Sequence, residues 1–264
     1  MYDLLIKNGK LVTADRIYKA DVAIHDGKYA ALHGLTGINS ASEYLEVERD
    51  IRLAEKIDCR FHVCHVSTKE SVKLIREAKR RGAKITCETA PHYLIFTDEN
   101  LQPSGKWKMN PPIRSADDRA ELLRGVQDGT IDCIITDHAP HSAEEKSRGL
   151  EGSAFGIVGL ETCFTAMYTH LVKTEIITLE RLLEMMCVMP RKIFSLPGAQ
   201  YIYDGCEADF VVMDLDSKWR VDPEKFYSLG RSTPFDGMTL QGETAAIYLA
   251  GRKIYDRREG VINA

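Results

Sequence analysis

Two textures of hydrophobic patterning follow one another along the chain. The first thirty residues give short apolar runs, Leu4-Leu5-Ile6, Leu11-Val12 and Val22-Ala23-Ile24, interrupted by Asn8-Gly9-Lys10 and Asp26-Gly27. Asn-Gly and Asp-Gly pairs tolerate positive φ and favour tight hairpins, so a β-meander is predicted here. From residue 40 the period lengthens. Ser40 and Glu43 have capping-box spacing, and Tyr44, Val47, Ile51 and Ala54 recur as on one helix face. Phe61 to Val66 is a predicted strand. Ser67 and Glu70 have capping-box spacing too, and Val72, Ile75 and Ala78 form a helical stripe stopped by Gly82.

This strand-helix unit repeats. Ile85 to Thr89 is followed by a long loop and a helix from about Ser115, carrying Leu122, Leu123 and Val126 up to Gly129. Ile131 to Thr136 precedes a helix around Leu160, Phe164, Met167 and Leu171, and another with Leu179, Leu182, Leu183 and Met186 ends near Pro190. Repeated β-α units imply a parallel sheet with helices on its faces, an α/β fold. Beyond Asp204 the texture is again β, with a strand from Ala208 to Leu215 and a hairpin of Ala245–Ala250 and Lys253–Tyr255 about Gly251-Arg252. The two β-rich ends are expected to form one β-domain into which the α/β unit is inserted.

Charge narrows the partners. The 264 residues carry a formal net charge of -4 and no dense Lys/Arg stripe, so nothing marks a nucleic-acid or anionic-membrane surface. Small molecules or other proteins are the expected partners, with a homo-oligomer left open. The start meets Lys7 too early for a signal peptide, and no apolar run reaches membrane-spanning length, so a cytoplasmic location is expected. Seven scattered cysteines without C-x-x-C spacing suggest reduced, mostly buried thiols rather than a disulfide framework or a zinc knuckle.

Chemistry in parallel α/β proteins gathers at the carboxyl ends of strands. The first strand ends in His62-Val63-Cys64-His65. Residues 62 and 65 point to opposite faces of a strand, so one metal cannot easily take both. His65, nearer the end, is the better ligand candidate; a hydrogen-bonded core histidine is the alternative. The second strand ends in Glu88-Thr89-Ala90-Pro91-His92, read as a capped turn. The third runs straight into Asp137-His138-Ala139-Pro140-His141, where a carboxylate can bind a metal or move a proton and an imidazole can orient a ligand. Asn110, stiffened by the prolines that follow it, can pair with an amide edge, and Gly156 lets backbone come close to a neighbour.

Taken in order, His-Val-Cys-His-Val-Ser, Glu-Thr-Ala-Pro-His, Met-Asn-Pro-Pro-Ile-Arg, Thr-Asp-His-Ala-Pro-His and Phe-Gly-Ile-Val-Gly-Leu-Glu-Thr resemble bacterial dihydroorotases of the amidohydrolase superfamily, from about Gly34 onward. Allantoinases and hydantoinases are sister families; the Asp-His-Ala-Pro-His run with Met-Asn-Pro-Pro favours dihydroorotase. The resemblance implies a TIM-type (β/α) barrel with a small β-sandwich made by both chain ends: residues 1–32 and 201–264 in the sandwich, 33–200 in the barrel. It implies interconversion of dihydroorotate and N-carbamoyl-aspartate in pyrimidine biosynthesis, with zinc. It makes His65 and Asp137 metal ligands, Asp137 also the catalytic proton carrier, and Asn110, His141, Phe155 and Gly156 the substrate-binding residues.

The pattern departs from that family in one respect. There is no His-x-His, the metal-binding pair of the first barrel strand, and Lys28-Tyr29-Ala30-Ala31-Leu32 passes almost directly to Gly34-Leu35-Thr36-Gly37. About five β-α units of the family pattern are missing, leaving a partial barrel. His65 and Asp137 are two ligands where a catalytic zinc usually takes three from the protein. The alternative expectation is a non-catalytic dihydroorotase-like protein with a structural or assembly role.

Overall fold

In the computed structural model, which describes the backbone of residues 4–12, 17–25, 28–31, 38–198 and 201–262 and the side chains from 38 onward within those ranges, three sheets are present. The first is an antiparallel meander of β1 (Leu4–Val12), β2 (Ile17–His25) and β3 (Lys28–Ala31). The expected turn at Asn8-Gly9 is instead inside β1, where the register against β2 shifts between Ile6 and Gly9. The permissive glycine is used for a bulge rather than a reversal. The Asp26-Gly27 turn lies outside the described residues.

The second sheet is parallel, in the order β4 (Phe61–Val63), β5 (Ile85–Thr89), β6 (Cys133–Ile134). Helix α1 (Ala41–Ile57) precedes β4, and α2 (Lys69–Arg80) and α4 (Ala116–Asp128) separate the strands in sequence, with a short α3 (Pro91–Ile95) after β5. The stripes fall where the spacing puts them: Val47, Ile51 and Ala54 of α1, Val72, Ile75 and Ala78 of α2, and Leu122 and Val126 of α4 are buried. Each fully buried aliphatic side chain contributes about 1.5–3 kcal/mol. Gly82 (φ 87°) and Gly129 (φ 80°) follow α2 and α4 in the left-handed region, as expected.

Two capping boxes did not form as expected. The N-cap of α2 is Thr68, whose side chain accepts from the Ser71 N–H, so Ser67–Glu70 is not the box. Ser40 makes no side-chain cap on α1. Glu43 turns away from its own helix: its carboxylate accepts from the N–H groups of Ser67 and Thr68, both at 3.0 Å, and from the hydroxyls of Ser67, Thr68 and Ser71. A negative charge at a helix start meets unpaired N–H groups and the positive end of the helix dipole. The Ser115–Asp118 box at the start of α4 does form.

Strands β4 and β6 are shorter than expected, because the chain leaves the sheet at Val63 and Ile134 to form the loops at its carboxyl end. Beyond them come α5 (Ala143–Lys146), α6 (Gly149–Gly152) and α7 (Cys163–Met167), the last extended by a π-helical turn over Tyr168–Val172. Leu160, expected on that helix, precedes it and is exposed. Helix α8 (Leu179–Leu183) passes through a second π turn (Glu184–Val188) into α9 (Met189–Phe194). The helical path therefore continues beyond Pro190, which sits in the first turn of α9 directly after the π turn.

The third sheet is antiparallel, in the order β10 (Gly260–Val261), β9 (Arg252–Asp256), β8 (Thr239–Leu249), β7 (Phe210–Arg220). The β8–β9 hairpin turns at Ala250-Gly251, one residue before the expected pair, with φ of 48° and 77°. Two positive φ values match the twist of the flanking strands. All seven cysteines are free, but only Cys87, Cys133 and Cys163 are buried; Cys64 and Cys187 are exposed, which corrects the expectation of mostly buried thiols. Among the described residues, no helix is long and apolar enough to cross a membrane.

Candidate active site

The carboxyl ends of β4, β5 and β6 converge on one polar mouth. His65 and Asp137, the two candidate ligands, follow β4 and β6 and adopt left-handed backbone, φ 38° and 45°. Non-glycine residues in that region are uncommon and cluster where side chains are held for function. The Asp137 carboxyl is half-buried. Burial raises its pKa above the usual range, the His65 imidazole draws it back down, and the Glu88 carboxylate pushes it further up.

Hydrogen bonds fix the loops that carry these groups. Val66 N–H donates to the Glu88 carbonyl at 2.8 Å, and Ile135 N–H to the Thr89 carbonyl at 3.0 Å, extending the parallel ladder past the strand ends. Ala139 N–H donates to the Ile157 carbonyl at 2.9 Å. His138 is drawn outward by the Gly159 and Leu160 N–H groups, which donate to its Nδ1 at 3.4 and 3.3 Å.

A second group forms around His141. Its Nε2 donates to the Phe155 carbonyl at 2.8 Å, and its Nδ1 lies 3.5 Å from Glu145 Oε1. Gly156 N–H donates to the Lys108 carbonyl at 3.0 Å, while Lys146 Nζ donates to the carbonyls of Lys108, Ala154 and Gly156. Lys108 Nζ stands 4.3 Å from the centre of the exposed Phe155 ring. At φ 136°, Gly156 packs so tightly that a Cβ there would lie 2.5 Å from the Ala139 carbonyl oxygen. Asn110, exposed, is joined to Pro111 by a cis peptide two residues after Lys108. His141, Phe155 and Gly156 are thus brought together, with Asn110 on the loop beside them.

Three residues stand together at the mouth, of which the sequence sets His62 aside in favour of His65 and does not single out Cys64 or Glu88 as ligands. His62, Cys64 and Glu88 bring potential ligand atoms within 4.8 Å of one another, and they are the only such group of three among the described residues. Strand register explains most of it: His62 pairs with Thr86 across β4 and β5, so positions 62, 86 and 88 share one face, and Cys64 follows directly after β4. The parity of each strand is readable from sequence; their alignment is not. His92 is almost wholly buried, with an Nε2 that has no partner, and burial together with His65 lowers its pKa to about 3.

As donors for a metal, His65 and Asp137 fit in kind, an imidazole and a carboxylate at a strand mouth. They fit in part: no group of three ligand atoms is built on them among the described residues. A surface cleft lies elsewhere, between α2 and α4, lined by Arg76, Glu121, Arg124 and Asp128, which are already engaged in ion pairs.

With this geometry in place, comparison with known proteins gives a consistent picture. The profile of the amidohydrolase family matches residues 14–254. A dihydroorotase of Listeria innocua is 49% identical over 237 residues, covering 89% of this chain and 55% of that protein. One from Bacillus caldolyticus is 45% identical over 236 residues, with the same coverages. The chain therefore spans about half the length of the curated relatives it matches. Among solved structures, an L-hydantoinase (dihydropyrimidinase) from Arthrobacter aurescens superposes with a TM-score of 0.77 at 32% identity, over 83% of this chain and 50% of that one.

Proposed function

Because the chain belongs to the amidohydrolase family, we propose that it carries the later half of a dihydroorotase-type active site, for opening and closing a cyclic amide between dihydroorotate and N-carbamoyl-aspartate in pyrimidine biosynthesis. The observation that carries this reading is Asp137, a half-buried carboxyl at the mouth of a parallel sheet, whose pKa burial raises, the His65 imidazole lowers and the Glu88 carboxylate raises. A carboxylate whose pKa lies above the ordinary value is a stronger proton acceptor than an ordinary one.

In this proposal His65 and Asp137 hold zinc. When bound, zinc supplies Lewis acidity and hydroxide at neutral pH. Asp137 accepts the proton lost by the attacking water and delivers it to the departing ring nitrogen, so the proton removed in one half of the reaction is returned in the other. Asn110, His141 and the Phe155-Gly156 main chain orient the substrate's polar edge. The barrel arrangement with a sandwich from both chain ends is part of the same proposal, supported by the parallel order β4-β5-β6 and the separate terminal sheets. So is the small-molecule partner.

A second reading has its own support. The two-donor set around Asp137 favours a dihydroorotase-like protein with a structural or assembly role. Zinc analysis and a dihydroorotate assay on the purified chain separate the two. Stoichiometric zinc with turnover that falls by about 10²–10⁴ in Asp137→Asn supports catalysis. A folded chain without turnover, whether or not it holds zinc, supports the structural role.

A further inference from the structure

We propose that His62, Cys64 and Glu88 form a second metal site, selective for a borderline transition-metal dication such as Zn²⁺ or Co²⁺, on the inner face of the parallel sheet. The inference goes beyond the catalytic reading and stands whether or not the chain turns over.

Two of the three ligands, His62 and Glu88, stand on paired strands. His62 and Thr86 are register partners across β4 and β5; Glu88 lies two residues further along β5 on the same face, and Cys64 is the first residue after β4 ends at Val63. The alternate residues, Val63, Ile85 and Cys87, are buried on the opposite face. The Val66 N–H bond to the Glu88 carbonyl, 2.8 Å, fixes the strand ends relative to each other. Ligands placed on paired strands are held more precisely than ligands on loops.

The donors are oriented as a metal requires. His62 Nδ1 is 2.7 Å from Thr86 Oγ1, which fixes the ring and leaves Nε2 facing Glu88 Oε2 at 3.1 Å. Such a hydrogen bond from the non-ligating nitrogen is the usual support of a metal-bound histidine. The side chains of His62 and Glu88 are 13% and 11% exposed, while Cys64 is open to solvent, so an ion has a route in. The Phe194 ring packs edge-on against His62, 5.0 Å between centroids, and supplies an apolar wall.

The donor set selects the ion. One thiolate, one imidazole and one carboxylate disfavour Mg²⁺ and Ca²⁺, which prefer oxygen alone, and suit Zn²⁺ or Co²⁺ with a fourth position left for water. On binding, the Cys64 thiol gives its proton to solvent and its sulfur to the metal. His65, whose backbone turns into the left-handed region, is not a member of the group.

The test is Co²⁺ titration of the reduced, purified chain, read by thiolate-to-cobalt charge-transfer absorption. One equivalent should produce the band, and added Zn²⁺ should displace it. Cys64→Ser should abolish the band, whereas Cys187→Ser, at the other exposed thiol, should leave it. Thr86→Val should weaken Co²⁺ affinity by roughly 10- to 100-fold. Asp137→Asn, which removes the proton carrier proposed above, should keep the band, so the two readings fail separately. A band that survives Cys64→Ser, a band lost in Asp137→Asn, or no band from a chain that circular dichroism shows to be folded would overturn the proposal.

Discussion

The parallel sheet and the C-terminal antiparallel sheet are stabilised in opposite ways. Strands β4, β5 and β6 are short, three, five and two residues, yet their apolar face is sealed by helices, and Val72, Ile75 and Ala78 of α2 are wholly buried. Strands β7 and β8 run for eleven residues each, with long ladders, but Phe210, Val211 and Val212 at the start of β7 are exposed at 40%, 52% and 43%. Side-chain burial organises the first region; main-chain pairing organises the second. The polar mouth belongs to the first, because groups can be held out of water with shifted pKa values only where packing excludes solvent.

That contrast can be probed in three ways, in decreasing order of effect. His92 is neutral in the folded protein, its pKa lowered to about 3 against an ordinary 6.5. Below pH 6.5 the unfolded chain takes up a proton that the folded chain refuses, so stability falls as pH drops and levels off near pH 3. The loss across that window should be roughly 4 kcal/mol. Denaturation midpoints measured at pH 7 and pH 4 should lie closer together in His92→Gln than in the parent; an unchanged pH dependence would mean that the mouth is wetter than its packing indicates.

Gly156→Ala comes next. The added Cβ would lie 2.5 Å from the Ala139 carbonyl oxygen and 2.7 Å from Ala139 Cβ, at a φ that L-residues rarely adopt. A loss of about 3 kcal/mol is expected in urea unfolding. Smallest is Val211→Thr on the open face of β7. It should change stability by no more than about 0.5 kcal/mol, since a β-branched residue stays on an exposed strand. A large loss there would show that this sheet is covered in solution.

Legibility in the sequence follows the same division. The helical stripes of α1, α2 and α4 were readable because one-sided burial imposes a period, and the Asp137 and His65 positions because strand ends precede loops. The Ser40–Glu43 spacing predicts a cap on α1 itself, since local spacing says nothing of the Ser67–Thr68 turn brought beside Glu43 by folding. Likewise the Asn8-Gly9 pair was read as a reversal, although pairing with β2 carries β1 through it as a bulge. The His62, Cys64 and Glu88 cluster needed the register of two strands 24 residues apart, which no pattern within either strand contains.

Glu43 also couples events that would otherwise be separate. It belongs to the helix before β4 and closes the first turn of the helix after it, with the buried Arg114 guanidinium 3.9 Å from its carboxylate. The turn leading from His65 into α2 cannot open without releasing Glu43, and α1 cannot undock without uncapping α2. Local opening of α1 and displacement of His65 are therefore expected as a single cooperative fluctuation, and hydrogen exchange at the Ser67 and Thr68 amides should follow α1 undocking rather than loop motion.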